Sequence, residues 1–385
     1  MRQKWKKTKL GEVCSIRRGS SPRPIKNYII SKGGMPWVKI SDATEAGGKY
    51  INSTAEQIKM EGVSRSVIVN PGDLILSNSG TAGVPMFMGI TACIHDGWQT
   101  FRDLKGIDKE YLYYYLLHIR HILLHNAYDS VMKNLTLDML RDYEICLPPI
   151  EEQKKIVELL KMIDDKIENN NQINRNLTEL AQIYFDKLFV QNASLEWSEG
   201  TLSDLGTVVA GGTPSKAKEE YYTDCGIAWI TPKDLSVDKS VFISHGENDI
   251  TELGLKKSSA TMMPAGTVLF SSRAPIGYIA IAANEVATNQ GFKSIVPNKN
   301  VGTAYTYYLL KKLLPTIENM ASGSTFKEIS GSVMKKVPTV IPDDKTLKKF
   351  NRFCEPIMQQ IYKNEQESKR LEMLRDFLLP KLMSG

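Results

Sequence analysis

The sequence predicts an α+β fold made by tandem duplication: two globular α/β domains, each followed by a long helix, the two helices pairing as an antiparallel coiled coil. Three observations carry this. Residues 147–189 open as Leu147-Pro148-Pro149-Ile150-Glu151-Glu152-Gln153 and then run to Phe189 without another Gly or Pro, with apolar residues at coiled-coil spacing: Ile156, Leu160, Ile163, Ile167, then Leu177, Ala181, Tyr184 and Leu188. The pattern returns 194 residues later, where Ile341, Pro342, Phe350, Ile357, Ile361, Leu371 and Leu382 stand for Leu147, Pro148, Ile156, Ile163, Ile167, Leu177 and Leu188. The globular parts repeat as well. Trp5, Leu10, Glu12, Val13, Pro22, Trp37 and Asp42 match Trp197, Leu202, Asp204, Leu205, Pro214, Trp229 and Asp234 at a shift of 192, and from Gly72/Gly266 onward the shift is 194. A period of this length is too long for a solenoid, so each half is a domain.

In chain order, the expected divisions are 1–146, a first globular domain; 147–190, a central long helix; 191–340, a second globular domain; and 341–385, a C-terminal long helix. Each globular half begins with a Gly-Pro loop, Gly19-Ser20-Ser21-Pro22 or Gly211-Gly212-Thr213-Pro214, followed by a short strand through Trp37 or Trp229. Strands are expected at Asp73 to Ser77 and Val84 to Ile90, and at Thr267 to Ser271 and Tyr278 to Ala282, forming a twisted, mostly antiparallel sheet. A helix follows, Lys109 to Leu124 or Thr303 to Leu314. The long helices start well. Pro148 and Pro149 suit a position just before a helix, and Glu151 and Glu152 complement the dipole of its first turn. Asn170 and Asn364 are repeat mates at seam positions; either antiparallel pairing brings them together and fixes register at some cost in stability, or the seam is simply interrupted there. A helix of this size is roughly 58 Å long, enough to hold two domains apart.

Composition sets bounds on function. The chain has 385 residues, 24% charged and 42% hydrophobic, which is ordinary for a soluble globular protein. No signal-peptide pattern or membrane-length apolar run stands out, so a cytoplasmic location is expected. Five scattered cysteines, Cys14, Cys93, Cys146, Cys225 and Cys354, read as reduced thiols. The net charge is +6, and residues 1–149 carry 20 Lys+Arg against 14 Asp+Glu, while 191–342 carry 14 of each. An anionic partner would feel the first half more strongly.

Catalytic motifs are missing. Gly206 and Gly211 have P-loop spacing, but Gly212 stands where Lys is required, and Asn70-Pro71-Gly72-Asp73 lacks the second Pro and the aromatic of an amino-methyltransferase motif. His118, His121 and His125 share a helix face without a carboxylate, so a solvated or phosphate-facing side is expected there rather than a metal site.

Two globular regions, each leading through a Leu-Pro-Pro-x-x-Glu-Gln-type segment into a long helix that ends near Lys187-Leu188-Phe189 or Lys381-Leu382-Met383, resemble the specificity subunit of type I restriction-modification systems. The resemblance covers essentially the whole chain and is strongest over Leu147 to Ile167, Trp5 to Pro22 and Trp197 to Pro214. Ile341-Pro342-Asp343-Asp344-Lys345 departs from it, lacking the second Pro and the Glu-Gln. The resemblance implies a non-catalytic subunit whose two target-recognition domains each read one half of a split, asymmetric site in double-stranded DNA. It also implies two methyltransferase subunits docked around the helices, bringing S-adenosylmethionine, and restriction subunits with their ATP and Mg. The alternative is a coiled-coil scaffold that does not read sequence. For the DNA-reading case the candidate contacts are Arg17, Arg18, Arg23, Lys26, Lys39, Asn78, Gln99 and Lys133 in the first half. In the second they are Lys216, Lys218, Lys233, Arg273, Gln290, Lys293 and Lys327, residue types that suit phosphates and base edges. Helix pairing is assigned to Ile156, Leu160, Ile163, Ile167, Asn170 and Leu177 against Phe350, Ile357, Ile361, Asn364 and Leu371. Trp37 and Trp229 are expected in the core.

Overall fold

A computed structural model describes residues 5–128, 134–323 and 327–384. The chain divides into two compact units, residues 1–168 with 370–385, and residues 169–369. Each long helix therefore contributes one stretch to each unit.

The first unit holds two five-stranded sheets and a two-stranded ribbon. The ribbon pairs Lys6–Lys9 with Glu144–Leu147 antiparallel, which ties the start of the globular part to the strand that leads into the long helix. One sheet runs Ser15–Arg18, Trp98–Arg102, Leu74–Ser77, Pro85–Met88, Tyr50–Ile51; the other contains Met35–Val38, Ala92–Ile94 and three further short strands. The second unit follows the same plan with one strand fewer: a five-stranded sheet of Gly206–Ala210, Lys293–Pro297, Val268–Ser272, Ile276–Ala282 and Phe242–Ile243, a four-stranded sheet of Tyr222–Thr223, Asn248–Ile250, Ile227–Ile230 and Ala287–Thr288, and Ser198–Thr201 paired to Pro338–Ile341. The expected single sheet per half is thus split. Leu74 to Ser77 and Val268 to Ser272 are buried at every position, so they are covered on both faces and cannot belong to a sheet with one wet side. Pairing is mostly antiparallel, as expected, with parallel exceptions such as Tyr50–Ile51 beside Pro85–Met88 and Phe242–Ile243 beside Ile276–Ala282.

Several repeated residues acquire a physical reason. Asp42 accepts the backbone N–H of Lys39 at 2.6 Å and Asp234 that of Thr231 at 2.7 Å, each capping a short helix. Their second oxygens accept Ala55 N–H and Glu247 N–H, which fastens the next loop. Gly19 and Gly211 match because a Cβ would lie 2.1 Å from the His95 carbonyl oxygen in one and 1.9 Å from that of Asn289 in the other. Gly72 and Gly266 match because both have left-handed φ, +84° and +85°. Trp37 and Trp229 are buried, as expected for core residues.

The helix predicted to close at Leu314 continues to Met320 through Pro315, and its first-half mate runs from Lys109 to Tyr128. Proline removes one N–H and disfavours the helix interior, but here the continuation buries Ile317 completely. Packing overrides propensity at this point.

The long helices span Ile150–Asp186, extended by an irregular turn through Gln191, and Asp344–Met383. In the first unit Ile156 and Leu160 share a buried cluster with Leu379 and Met383, and Arg375 meets Asp164 at 3.1 Å; rising numbers on one helix face falling numbers on the other. Ile163 and Ile167 are buried too. In the second unit Ala181, Phe350, Ile357 and Ile361 share a buried cluster with Leu177, Tyr184 and Leu188 packed against it. The asparagines meet off-centre. Asn170 Nδ2 lies 3.5 Å from the Asn364 carbonyl oxygen but donates at 2.8 Å to Glu367, while Asn364 Nδ2 donates at 2.8 Å to Asn174. Each amide thus finds a separate cross-helix partner. Leu371 is half-buried.

Among the described residues the five cysteines form no disulfide, and no helix is long and apolar enough to cross a membrane.

Candidate nucleic-acid interface

In both units the Gly-Pro loop is pinned to a tight turn at the edge of the sheets. Gly19 N–H donates to Trp98 O at 2.8 Å and Ser20 N–H to Ile94 O at 3.3 Å; in the second unit Gly211 N–H donates to Phe292 O at 3.3 Å and Gly212 N–H to Thr288 O at 2.9 Å. The turn is closed by a side chain at matching positions. Gly97 N–H donates to His95 Nδ1 at 2.6 Å, and Gly291 N–H to Asn289 Oδ1 at 2.9 Å. Imidazole and amide do the same work, so the backbone is shared while the surrounding side chains are free to differ.

In the first unit that turn is organised by Asp96, a residue the sequence reading passed over. Its carboxylate accepts Ser21 Oγ at 2.6 Å and Arg23 Nη2 at 3.1 Å, and its carbonyl oxygen accepts Arg18 Nε at 2.6 Å and Asn78 Nδ2 at 3.0 Å. The Ser21 hydrogen bond, with Arg23 adding to it, holds this carboxyl below its usual range. The only sequence signal was its neighbour Gly97, one residue beyond. Arg17 and Lys26 are exposed. Asn78 and Gln99 are buried, at 2% and 1% exposure. Gln99 Nε2 donates to Leu135 O at 2.9 Å, so both amides serve the interior rather than the surface. Lys133 lies outside the described residues.

In the second unit the equivalent place holds a different set. Arg273 Nη1 and Lys293 Nζ lie 3.5 and 3.9 Å from the two oxygens of Glu328, and Lys293 Nζ donates to the Gln290 carbonyl oxygen at 3.2 Å. Burial pushes the Lys293 ammonium down from its ordinary value, and only 8% of the residue is exposed. Gln290, Lys216 and Lys327 are exposed, and Lys218 is exposed 4.0 Å from Glu220. Lys39 and Lys233 hold matching ion pairs, with Glu56 and Glu247, both at 2.5 Å. These two lysines brace the loop that Asp42 and Asp234 also fasten.

His118 and His121 sit with ring centroids 6.4 Å apart, and burial lowers the pKa of His118. Among the described residues no group of His, Cys, Asp and Glu could hold a metal ion. What the arrangement offers is cationic and amide side chains on backbone-anchored loops, suited to phosphates and base edges.

The family model described as "Type I restriction modification DNA specificity domain" matches twice, over residues 2–179 and 194–373. The MjaIX type I restriction enzyme specificity subunit of Methanocaldococcus jannaschii is 39% identical over 188 residues, 44% of this chain and 43% of its own length. The HindI type I restriction enzyme specificity subunit of Haemophilus influenzae is 25% identical over 326 residues, 65% of this chain and 70% of its own. The type I restriction-modification S subunit of M. genitalium has the same fold, with a TM-score of 0.58 at 17% identity over 99% of this chain and 96% of that one.

Proposed function

We propose, for a chain that belongs to the type I restriction-modification DNA specificity family, that each half reads one block of a split, asymmetric DNA site and that the chain itself contributes no bond-making step. One observation carries the reading: the two halves hold the same loops by the same backbone hydrogen bonds, yet present different side chains there. Arg17 and Arg18 face Val209 and Ala210 in the repeat, Arg23 faces Ser215, Ser79 faces Arg273, and Asp96 faces Gln290. A shared frame with unlike tips is what reading two different base sequences requires. The exposed residues Arg17, Lys26, Lys216, Gln290 and Lys327 are the contacts we assign to DNA; Arg23, Lys39, Lys218 and Lys233, already paired, take a lesser share.

The long helices carry surface that a partner would cover. Leu159, Met162, Met373, Leu374 and Phe377 are exposed on them in the first unit, and Ile173, Leu180, Ile183 and Tyr362 in the second. Two methyltransferase subunits docked there would bring S-adenosylmethionine, and restriction subunits would bring ATP and Mg to the assembled complex. The setting is the cytoplasm, where the chromosome lies.

The test is a single-molecule methylation map of the host genome with and without the chain. One motif of two short blocks around a fixed gap should lose methylation, and exchanging residues 1–146 should change one block only. If purified chain with its cognate methyltransferase distinguishes no DNA sequence, the scaffold reading replaces this one.

A further inference from the structure

The two units differ where the long helix passes over the globular core. In the first unit that space is filled from within. Lys49, only 9% exposed at its side chain, pairs with Glu110 at 2.8 Å and sits 5.3 to 5.6 Å from the rings of Tyr50, Phe87, Tyr113 and Tyr114. Asp164 accepts Tyr114 OH at 2.6 Å and pairs with Arg375.

The second unit keeps the backbone but places its charges elsewhere: Lys311 Nζ stands 5.4 and 5.7 Å from the Tyr307 and Tyr308 rings, and the buried Glu365 accepts the backbone N–H groups of Val241 and Phe242. Phe242 takes the place of Tyr50 and Ile281 that of Phe87, in identical parallel register. Val241, Ala304, Met358 and Tyr362 stand where the first half has Lys49, Glu110, Asp164 and Glu168. The result is an open pocket of 620 Å³ with Phe242, Ile281, Ala304, Met358 and Tyr362 in its wall. Phe242 and Tyr362 meet edge to face at 5.3 Å and form one side. Lys299, Lys348 and Arg352 line it, exposed, and have no ion-pair partner among the described residues; Glu355 lines it too, and Asp344 accepts Asn300 Nδ2 at 3.1 Å nearby. Inside the wall, Asn351 donates through Nδ2 to Val301 O at 2.7 Å, while its Oδ1 is buried without a hydrogen-bond partner.

We infer that this pocket of the second unit is a docking site for an acidic segment of the methyltransferase partner that carries a bulky apolar side chain. An apolar cavity of this size takes one or two such side chains. The three rim cations select acidic neighbours. The first unit holds Lys49 and Glu110 where the second has Val241 and Ala304, so the fold itself does not require an apolar wall there. The inference rests on the proposed function, and it adds that the two methyltransferase copies are held unequally.

Two variants of the full chain test it. Ala304→Glu copies the residue that fills the first unit, and Lys348→Glu with Arg352→Glu reverses the rim on exposed positions that the fold does not use. Methyltransferase binding is titrated by calorimetry and the complexes are weighed by native mass spectrometry. The wild type should bind two copies. Each variant should retain one at wild-type affinity and hold the other at least tenfold more weakly, with DNA binding by the free chain unchanged; the rim variant, on exposed positions, should also keep the wild-type melting temperature. Should Ala304→Glu melt early, the rim variant decides alone. Two copies bound at wild-type affinity by the rim variant overturn the pocket and leave the proposed function standing. A wild-type chain that binds no methyltransferase overturns both.

Discussion

The two units are one design carried out with different interiors. In the first, a lysine and a glutamate are drawn under the long helix and shielded by four aromatic rings; in the second the same positions hold valine and alanine, and a pocket stays open. Their surfaces differ in the same way at the loop tips, where Asp96 gathers arginines in one half and Glu328 holds Arg273 and Lys293 in the other. The lesson is that duplication preserves backbone hydrogen bonds and cap residues, which any change would break, while side chains that answer only to their neighbours drift together.

The sharpest break of the comparison is at the core. Phe350 is fully buried in the second unit, with Phe185, Phe189 and Tyr184 around it, and its mate Ile156 keeps 8% exposure. Phe350→Ala should cost about 4 kcal/mol and Ile156→Ala about 3 kcal/mol, read by urea unfolding of the full chain. Equal, small losses would mean that the two seams are not packed as described.

Next comes the internal ion pair. Lys49→Ala strands a largely buried Glu110 and should destabilise the first unit by about 3 kcal/mol, whereas Lys49→Met with Glu110→Met, which makes that unit apolar like its sister, should recover most of the loss. If the double variant is as unstable as the single one, the pair is not what closes this space.

A third difference responds to pH. Glu365, in the second unit, accepts the backbone N–H groups of Val241 and Phe242 at 2.7 and 3.1 Å, and burial pushes its carboxyl up to about 7, with Asp238 raising it further and Lys369 opposing. A carboxyl raised in the folded state binds its proton more tightly there than in the unfolded chain. Its contribution is therefore complete below about 4.5, the unfolded value, and is lost as pH rises through about 7. Between pH 5 and 8 the wild type should lose roughly 2 kcal/mol more than Glu365→Gln, measured by unfolding across that range. The matching position in the first half is Asn171, which does not titrate.

The smallest effect is expected at the paired lysines. Lys39→Ala and Lys233→Ala should each reduce the salt slope of DNA binding by less than the unit or so expected of a free phosphate contact, because each ammonium already faces a carboxylate. Arg17→Ala, exposed on its strand, and Lys216→Ala, exposed in its loop, should each remove about one unit.

Much of this was legible in the chain. The duplication, the start of both long helices, the seam residues from Ile156 to Ile167, the buried tryptophans and the Gly-Pro loops all follow from spacing and residue chemistry, because each depends on local periodicity or on backbone that only Gly or Pro can supply. The meeting of Asn170 with Asn364 followed from the repeat itself, although the partners of each amide did not. Other features depended on residues far apart in sequence. Asn78 and Gln99 look like base readers until the sheet buries them, and Asp96 has no motif to announce it. The helix past Pro315 is held by tertiary packing against its own propensity. Whether the space under a long helix is filled or open turns on what stands at 49 and 110, or at 241 and 304, pairs some sixty residues apart. The sequence by itself determined that there are two like halves and where their helices lie, since those are patterns of adjacent residues; the tertiary structure alone decided which charges are buried, which are free and which half keeps a pocket, since burial is set by distant chain brought into contact.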